Sequence, residues 1–289
     1  MSTRRSAPTR EREVARPPQR GFTLNRPSEL ESWLSFFRAR RGRPIDLPWS
    51  EDVPLDEATR NRIARSIATF QLGESSDGRH LLSAARRFGA RHGLPALAEI
   101  TELFIREEQF HAALLAAFMK QRGIPILRSQ WSDRVFRSLR HVGGFEVAIS
   151  VLLVAEIIAL TYYRALAEAT PSSVLRYISS TIVSDEEAHV SYEASLLAGL
   201  QLKRSWVARR CAHLLHGLLY AGALVVVYSG HRGVLRAGGY EFRHFWKAGW
   251  SRFLKYLGSE SAPRTSAVAA QHRAAPAERR GTAAVAREV

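Results

Sequence analysis

The sequence predicts an all-α protein built on a four-helix bundle, with additional helices at the C-terminal end. Two observations lead to this prediction. Four long segments carry apolar residues at intervals of three and four, which places them on one face of a helix. Two of these segments contain the motif Glu-x-x-His, at Glu108–His111 and Glu186–His189, and each follows a helical segment with an isolated glutamate, Glu74 or Glu156. This duplicated order is the ligand arrangement of a two-metal four-helix bundle.

The helices are expected in a definite order, starting with a short leading helix. A capping box at 28–31 begins that helix, which extends to Arg41. The first bundle helix begins near Asp56, and the run Ser-Ser-Asp-Gly at 75–78 predicts a local bulge around Glu74.

The remaining bundle helices are delimited by glycine and proline. Gly123 and Pro125 end the second helix, and Thr170-Pro171 separates the third from the fourth. A short helix at 131–141 lies in the connection between the second and third helices. Helix bundles can use such a crossover to place their third helix.

Composition and charge divide the chain into four parts. These are a basic N-terminal tail at 1–20, the bundle with its leading helix at 21–200, apolar and amphipathic helices at 201–258, and a tail at 259–289. Both tails are rich in Arg with Pro or Ala and are predicted to be disordered. Residues 21–199 hold equal numbers of acidic and basic side chains, so the net charge of +15 lies outside them. Such basic extensions indicate a polyanionic partner, either anionic lipid or nucleic acid.

Six polar side chains fall on the apolar faces of the four bundle helices. They are Glu74, Glu108, His111, Glu156, Glu186 and His189. An unpaired buried charge is costly, and these faces carry no matching set of Arg or Lys. Two divalent metals would neutralise four glutamates, and one imidazole for each metal would complete a mixed nitrogen and oxygen site suited to iron or manganese. A metal-free bundle with Glu–His hydrogen bonds is the alternative.

Between Asp56 and Leu200 the chain resembles the ferritin-like di-iron carboxylate superfamily, in its oxygenase and oxidase branch. The run Ser184–His189 is similar to the Asp-Glu-x-x-His segment of soluble desaturases. The resemblance implies a catalytic centre of two iron ions, or manganese, held by the six side chains. Where arylamine N-oxygenases carry an extra histidine ligand, this chain has Ile182, and it lacks the cysteine pairs of rubrerythrins.

Four further residues are candidates to support these ligands. Glu107 and Asp185 precede the two motif glutamates and can accept the remaining ring N–H of a ligand histidine. Glu193 shares the helix face of His189, as a further ligand, a proton relay or a surface residue. Tyr163 lies two turns beyond Glu156 and reaches the site or packs in the core.

The C-terminal helices suggest contact with a membrane. The segment 214–227 is strongly apolar but short for a membrane span, and it is either a core helix or membrane-embedded. The segment 240–257 is amphipathic, with basic residues opposite an aromatic face. On that face four residues are predicted to contact the membrane. They are Phe242, Trp246, Trp250 and Phe253. The alternative is a helix and cap packed on the bundle.

These features together predict an O2-dependent oxidoreductase, monooxygenase-like, that hydroxylates, desaturates or N-oxygenates a hydrophobic organic substrate. The single cysteine, Cys211, and the absence of a secretory pattern predict a cytoplasmic protein, peripheral on the inner face of the membrane. An iron-storing ferroxidase of ferritin or rubrerythrin type and an RNA-modifying hydroxylase are the alternatives. Nucleic acid ranks below a membrane as the partner. The substrate, the electron donor and the oligomeric state, with a homodimer among the alternatives, stay open.

Overall fold

The computed structural model describes Pro17 and residues 27–76, 78–201 and 204–258. Within these ranges the long elements are all helices and no strand occurs, so the predicted all-α class is confirmed. The helices are α1 Pro27–Ala39, α2 Glu57–Glu74, α3 Arg79–His92, α4 Ala96–Gln121, α5 Trp131–Val142, α6 Phe145–Glu168, α7 Ser173–Gln201, α8 Trp206–Ala237 and α9 Phe242–Phe253. A 3-10 turn occupies Trp49–Glu51 and a π turn occupies Leu254–Gly258. The two predicted tails lie outside the described residues, apart from Pro17.

Helices α2, α4, α6 and α7 surround one apolar core. Helix α2 packs on α4, α4 on α7, and α7 along α6. Between α2 and α6, the ring of Phe70 stacks on Tyr162 with 3.4 Å between the ring centroids. The Tyr162 hydroxyl and the Ser66 hydroxyl lie 2.9 Å apart and share a hydrogen bond. The four helices that carry the candidate ligands therefore face one another across a common interior.

The first bundle helix ends at Glu74, whereas the sequence predicted one continuous helix with a bulge there. Helix α2 ends at Glu74, and α3 begins five residues later at Arg79. Gly78 sits in the turn with φ of +61°, and a Cβ atom there would lie 2.5 Å from the Ile105 side chain. Only glycine fits this left-handed turn against α4, so two separate helices, α2 and α3, replace the single bulged helix that was predicted.

Helix α1 lies over α4 and α7 through aromatic side chains. Trp33, Phe36 and Phe37 are buried, and the first and last of these also contact the Tyr192 ring. Helix α1 begins at Pro27, one residue before the predicted capping box at 28–31. It ends at Ala39, two residues before the predicted end at Arg41. The segment that follows α1 brings Arg40 and Arg43 to Glu107 and Asp185, in the middle of α4 and of α7.

The predicted apolar segment 214–227 is part of the 32-residue helix α8. Tyr220 and Leu224 are fully buried, whereas Leu214, Leu215 and Leu218 are each about two-thirds exposed. Two helices of the described residues, α6 and α8, have the length and apolar composition to cross a bilayer. Helix α6 is mostly buried because α3, α5, α7, α8 and α9 all pack on it.

The aromatic face of α9 packs mainly on the protein itself. Phe253 is buried against Tyr220, with ring centroids 4.8 Å apart, so its predicted exposure to a membrane is wrong. Trp246 and Trp250 are half-buried and stack on each other. Phe242 is 41% exposed. Helix α9 is thus largely the packed cap that the sequence offered as an alternative.

Asp52, in the loop before α2, joins the ends of two core helices. Its carboxylate accepts hydrogen bonds from the Ser172 hydroxyl at 2.6 Å and from the Val174 amide at 3.2 Å, at the start of α7. It also forms an ion pair with Arg122, which follows α4. Burial alone would raise the pKa of Asp52, but the hydrogen bonds from Ser172 and Arg122 outweigh it and lower the pKa. Asp52 thus caps α7 from a distant part of the chain.

Replacing Asp52 by Ala should lower the free energy of unfolding by about 3 kcal/mol, because Arg122 and the start of α7 lose a partly buried partner. Asp52→Asn should cost less, since an amide oxygen still accepts. Urea denaturation measures both, with the exposed Asp46→Ala as the control. The Asp52 contribution should be present above the ordinary carboxyl pKa and disappear as pH falls through the lowered one. Equal stability of Asp52→Ala and Asp46→Ala would contradict this assignment.

Candidate metal centre

The six side chains predicted from sequence lie together in the interior. Their candidate ligand atoms form two overlapping groups, and within each group all atoms lie within 4.8 Å of one another. One group contains Glu74 and His111, the other contains Glu156 and His189, and both contain Glu108 and Glu186. Five of the six residues are buried, and Glu108 alone is half-buried. The described residues therefore include buried carboxylate and histidine groups that can hold a metal ion.

Both histidines direct the Nδ1 atom towards the shared glutamates. His111 Nδ1 lies 3.3 Å from Glu186 Oε1 and 3.7 Å from Glu108 Oε1. His189 Nδ1 lies 3.1 Å from Glu108 Oε1 and 3.2 Å from Glu186 Oε2. The Glu-x-x-His spacing produces the contact within each helix, because residues three apart share one helix face. The other two contacts join α4 and α7.

The outer nitrogen of each histidine contacts a second carboxylate on the opposite helix. His111 Nε2, on α4, lies 3.0 Å from Asp185 Oδ2 on α7. His189 Nε2, on α7, lies 2.9 Å from Glu107 Oε2 on α4. The sequence predicted these two carboxylates as partners of the ligand histidines, and the structure adds that the pairs cross between the helices. Because a carboxylate only accepts, each pair places a hydrogen on Nε2, and a neutral imidazole then carries its lone pair on Nδ1.

Two arginines that the sequence interpretation missed hold the outer carboxylates. Arg40 Nε donates to Glu107 at 3.0 Å, and Arg40 also pairs with Asp185. Both terminal nitrogens of Arg43 donate to Asp185, at 3.1 and 2.6 Å. The Arg40 side chain is only 12% exposed. In the sequence, the sign of this role was the group of arginines that directly follows the aromatic leading helix.

The facing lone pairs and carboxylate oxygens of this cluster repel one another unless cations lie between them. Each Nδ1 lone pair faces two carboxylate oxygens, and lone pairs at these distances repel unless a proton or a metal ion lies between them. Among the described residues, His111 Nδ1, Glu108 Oε1 and Glu186 Oε1 are buried atoms that lack a hydrogen-bond partner. Imidazole nitrogen and carboxylate oxygen are donor atoms of protein metal sites, so the residues present fit a metal ion.

In the absence of metal the same cluster would retain protons. Burial raises the pKa of Glu74 and of Glu156 well above the ordinary range, and repulsion from Glu108 and Glu186 adds to it. Burial would lower the pKa of His189, but the charge of Glu186 and its hydrogen-bonded carboxylates raise it well above its usual value. Metal ions must displace these protons, so metal affinity falls as pH decreases.

Tyr163 and Glu193 both reach the centre. The Tyr163 hydroxyl donates to Glu74 Oε1 at 2.6 Å, so this tyrosine orients a candidate ligand. Glu193 is fully buried, and neither carboxylate oxygen has a hydrogen-bond partner among the described residues. Burial raises the pKa of Glu193 well above its ordinary value, with the nearby charges of Glu108 and Glu186 contributing. The surface position is thereby excluded for Glu193, and the ligand and proton-relay roles stay predictions.

Two adjoining pockets open towards the same side of the cluster. Both are lined by Glu74, Glu108, Arg140 and Leu152, and the smaller one is also lined by Glu156. Glu108 is half-buried and lines both pockets, so it marks the accessible side of the centre.

The chain contains a third Glu-x-x-His motif, Glu241–His244, but both of its residues are exposed.

Comparison with protein-family models, with curated proteins and with solved structures found no match to this chain. The geometry of the side chains alone supports a metal site here.

Removing the Glu107 carboxylate should weaken metal binding about 10- to 100-fold, because His189 loses the acceptor that fixes its tautomer. Glu107→Gln should have the smaller effect, since its amide oxygen can still accept from Nε2, and Glu107→Leu the larger. Competition for Mn²⁺ against a chelator of known affinity measures this, with Glu102→Gln on the same helix as the control. Unchanged affinity in Glu107→Leu would contradict the assigned role.

Proposed function

We propose that this protein is an O2-dependent oxidoreductase with two iron ions in a bundle of the ferritin-like type, manganese being the alternative metal. The observation that carries the proposal is the pair of overlapping ligand groups that share Glu108 and Glu186. One metal would take Glu74 and His111, the other Glu156 and His189, and the two shared carboxylates would serve both. Two divalent ions then balance four glutamates.

The bound iron would supply the electrons and the open coordination position that O2 reduction requires. A hydroxylation balances as substrate C–H plus O2, two protons and two electrons from an external reductant, giving C–OH and water. The protein residues position and shield this chemistry. Asp185 and Glu107 hold the histidine Nε2 hydrogens, Tyr163 orients Glu74, and the apolar walls around the centre limit access of water.

The purified chain should hold two metal ions after iron-replete expression, because four inward carboxylates require about four positive charges. His111→Ala combined with His189→Ala should lose most of the metal, measured by elemental analysis. The matched control is His92→Ala with His244→Ala, which changes two exposed histidines. Less than about one metal per wild-type chain, unchanged in the double variant, would overturn the proposal.

Oxidation of the ferrous protein by O2 should be stoichiometric with the bound metal and should not build an iron core. Glu108→Ala should abolish the reaction while preserving the helical circular dichroism, because Glu108 belongs to both ligand groups. Stopped-flow absorbance followed by iron titration separates the alternatives. Soluble uptake of many irons per chain would instead support the storage function. The RNA-hydroxylase alternative and the homodimer stay predictions.

A second proposal concerns a membrane surface on the first half of α8. Trp206, Leu214, Leu215 and Leu218 are all more than 60% exposed there. Arg204, Arg209 and Arg210 are also exposed on this part of the chain. Apolar and cationic side chains in this combination suit the headgroup region of an anionic bilayer. The exposed face of α8 thus replaces α9 as the main candidate for membrane contact.

Leu214→Ser combined with Leu218→Ser should weaken partitioning onto vesicles containing phosphatidylserine about tenfold, because two exposed apolar side chains leave the interface. Vesicle sedimentation measures the effect. Val53→Ser combined with Ile126→Ser is the control, since these residues are also exposed but lie elsewhere. Equal binding of the wild type and the α8 variant to these vesicles would contradict the proposed membrane surface.

A further inference from the structure

A network of three buried polar side chains connects α2, α6 and α8. The Ser66 hydroxyl, on α2, lies 2.9 Å from the Tyr162 hydroxyl on α6 and 2.8 Å from Nδ1 of His231 on α8. All three residues are buried. The His231 ring also packs edge-on against Phe70 and Tyr162, with 5.0 and 5.4 Å between the ring centroids. None of the three is a candidate metal ligand, so the network needs another explanation.

Only one arrangement of hydrogen atoms satisfies both hydroxyls of this network. Tyr162 is fully buried, and Ser66 is its hydrogen-bond partner among the described residues, so the Tyr162 hydroxyl donates to Ser66. The Ser66 hydroxyl then donates to His231 Nδ1, which accepts. Burial, together with the charge of Arg65, lowers the pKa of His231 to about 4, so the imidazole is neutral near neutral pH. Its hydrogen therefore lies on Nε2.

The Nε2 edge of His231 faces the smaller of the two pockets beside the centre. His231 lines this pocket, whereas Ser66, to which Nδ1 points, lies outside the lining. Among the described residues, Nε2 has no hydrogen-bond partner. The two hydroxyls of the lining donate elsewhere, that of Thr69 to the backbone of its own helix and that of Ser132 to a glutamine side chain. His231 thus offers a hydrogen-bond donor that a bound molecule can satisfy.

The rest of this pocket combines an apolar wall with one side of the candidate centre. Four helices contribute apolar residues to the wall: Phe70, Phe136, Val151, Leu152, Ile158 and Val227. Glu74, Glu108 and Glu156 line the same pocket, and all three are candidate metal ligands. The pocket volume of about 140 Å³ is close to the roughly 150 Å³ of a cavity that binds benzene. A molecule held at His231 would therefore place a ring-sized apolar group beside the candidate ligands.

We propose that the smaller pocket binds an apolar molecule whose carbonyl oxygen accepts a hydrogen bond from His231 Nε2, and that this molecule is the substrate of the centre. A carbonyl oxygen satisfies Nε2 without bringing a hydrogen of its own to an apolar wall. Ser66 and Tyr162 are positioning residues, because they fix the tautomer that donates. Identification of the molecule as the substrate rests on the proposed function, whereas its binding does not.

Two probes of the same shape, acetophenone and α-methylstyrene, test this hydrogen bond, because the second carries a methylene group in place of the carbonyl oxygen. Calorimetric titration under argon uses the purified chain from iron-replete expression. Acetophenone should bind about tenfold more tightly, since α-methylstyrene leaves Nε2 without a partner. Equal affinity for the two probes, or no binding of acetophenone, would overturn the inference.

His231→Phe should abolish the preference for acetophenone, because the phenyl ring fills the same space without a donor. The matched control is His213→Phe, the same change on α8 outside both pockets, which should keep the preference. Leu214→Ser with Leu218→Ser should also keep it, which separates the pocket from the exposed face of α8. A preference retained in a folded His231→Phe protein would overturn the inference, since the carbonyl oxygen would then be bound by another group or by a metal.

The tautomer of His231 can be measured even if His231→Phe fails to fold. Nitrogen NMR of a chain labelled at histidine should show the hydrogen on Nε2, with the signals assigned by their loss in His231→Gln. Ser66→Ala should move part of the hydrogen to Nδ1 and reduce the preference for acetophenone, because Nδ1 loses its donor. A hydrogen on Nδ1 of the wild type would contradict the proposed donor.

Metal analysis of the same samples separates this inference from the proposed function. Two metals per chain without a preference for acetophenone would remove the substrate class and leave the metal centre. A preference that depends on His231 in a chain that never acquires metal would remove the proposed function and retain the binding site.

Discussion

The mutual repulsion of four inward-facing carboxylates is the constraint on which the rest of this structure depends. Glu74, Glu108, Glu156 and Glu186 come from four different helices and meet in an apolar interior. The repulsion persists however tightly the helices pack, because all four carboxylates lie on the inward faces of their helices. Protons or metal ions must neutralise it, and the inward Nδ1 lone pairs make metal the better match.

The surroundings of the cluster serve to hold it in place. The imidazole of His189 packs against the rings of Phe37 and Phe104, with 6.0 and 4.6 Å between the ring centroids. Its outer nitrogen contacts Glu107, which Arg40 holds in turn. Helix α1 therefore positions the site as well as covering the core. Its aromatic residues and the arginines that follow it fix the outer carboxylates, and through them the two histidines.

Local sequence patterns were sufficient for the helices and for the six inward side chains. Apolar spacing marks a helix face, and Glu-x-x-His places two donors on that face whatever the fold around them. The break after Glu74 was missed because its cause, the contact of Gly78 with Ile105, joins two helices. The role of Arg40 was missed for a similar reason, because its partners Glu107 and Asp185 lie on two other helices. An arginine in a turn or an amphipathic helix looks like a surface residue until the partner on another helix is known.

Anomalous diffraction from crystals of the metal-loaded protein tests the account most directly, because it places the metals relative to named side chains. Two peaks per chain are expected, about 3.5 to 4 Å apart. One should lie within bonding distance of His111 Nδ1 and the other of His189 Nδ1, with Glu108 and Glu186 between them. A single peak, or metals bound away from these residues, would contradict the account.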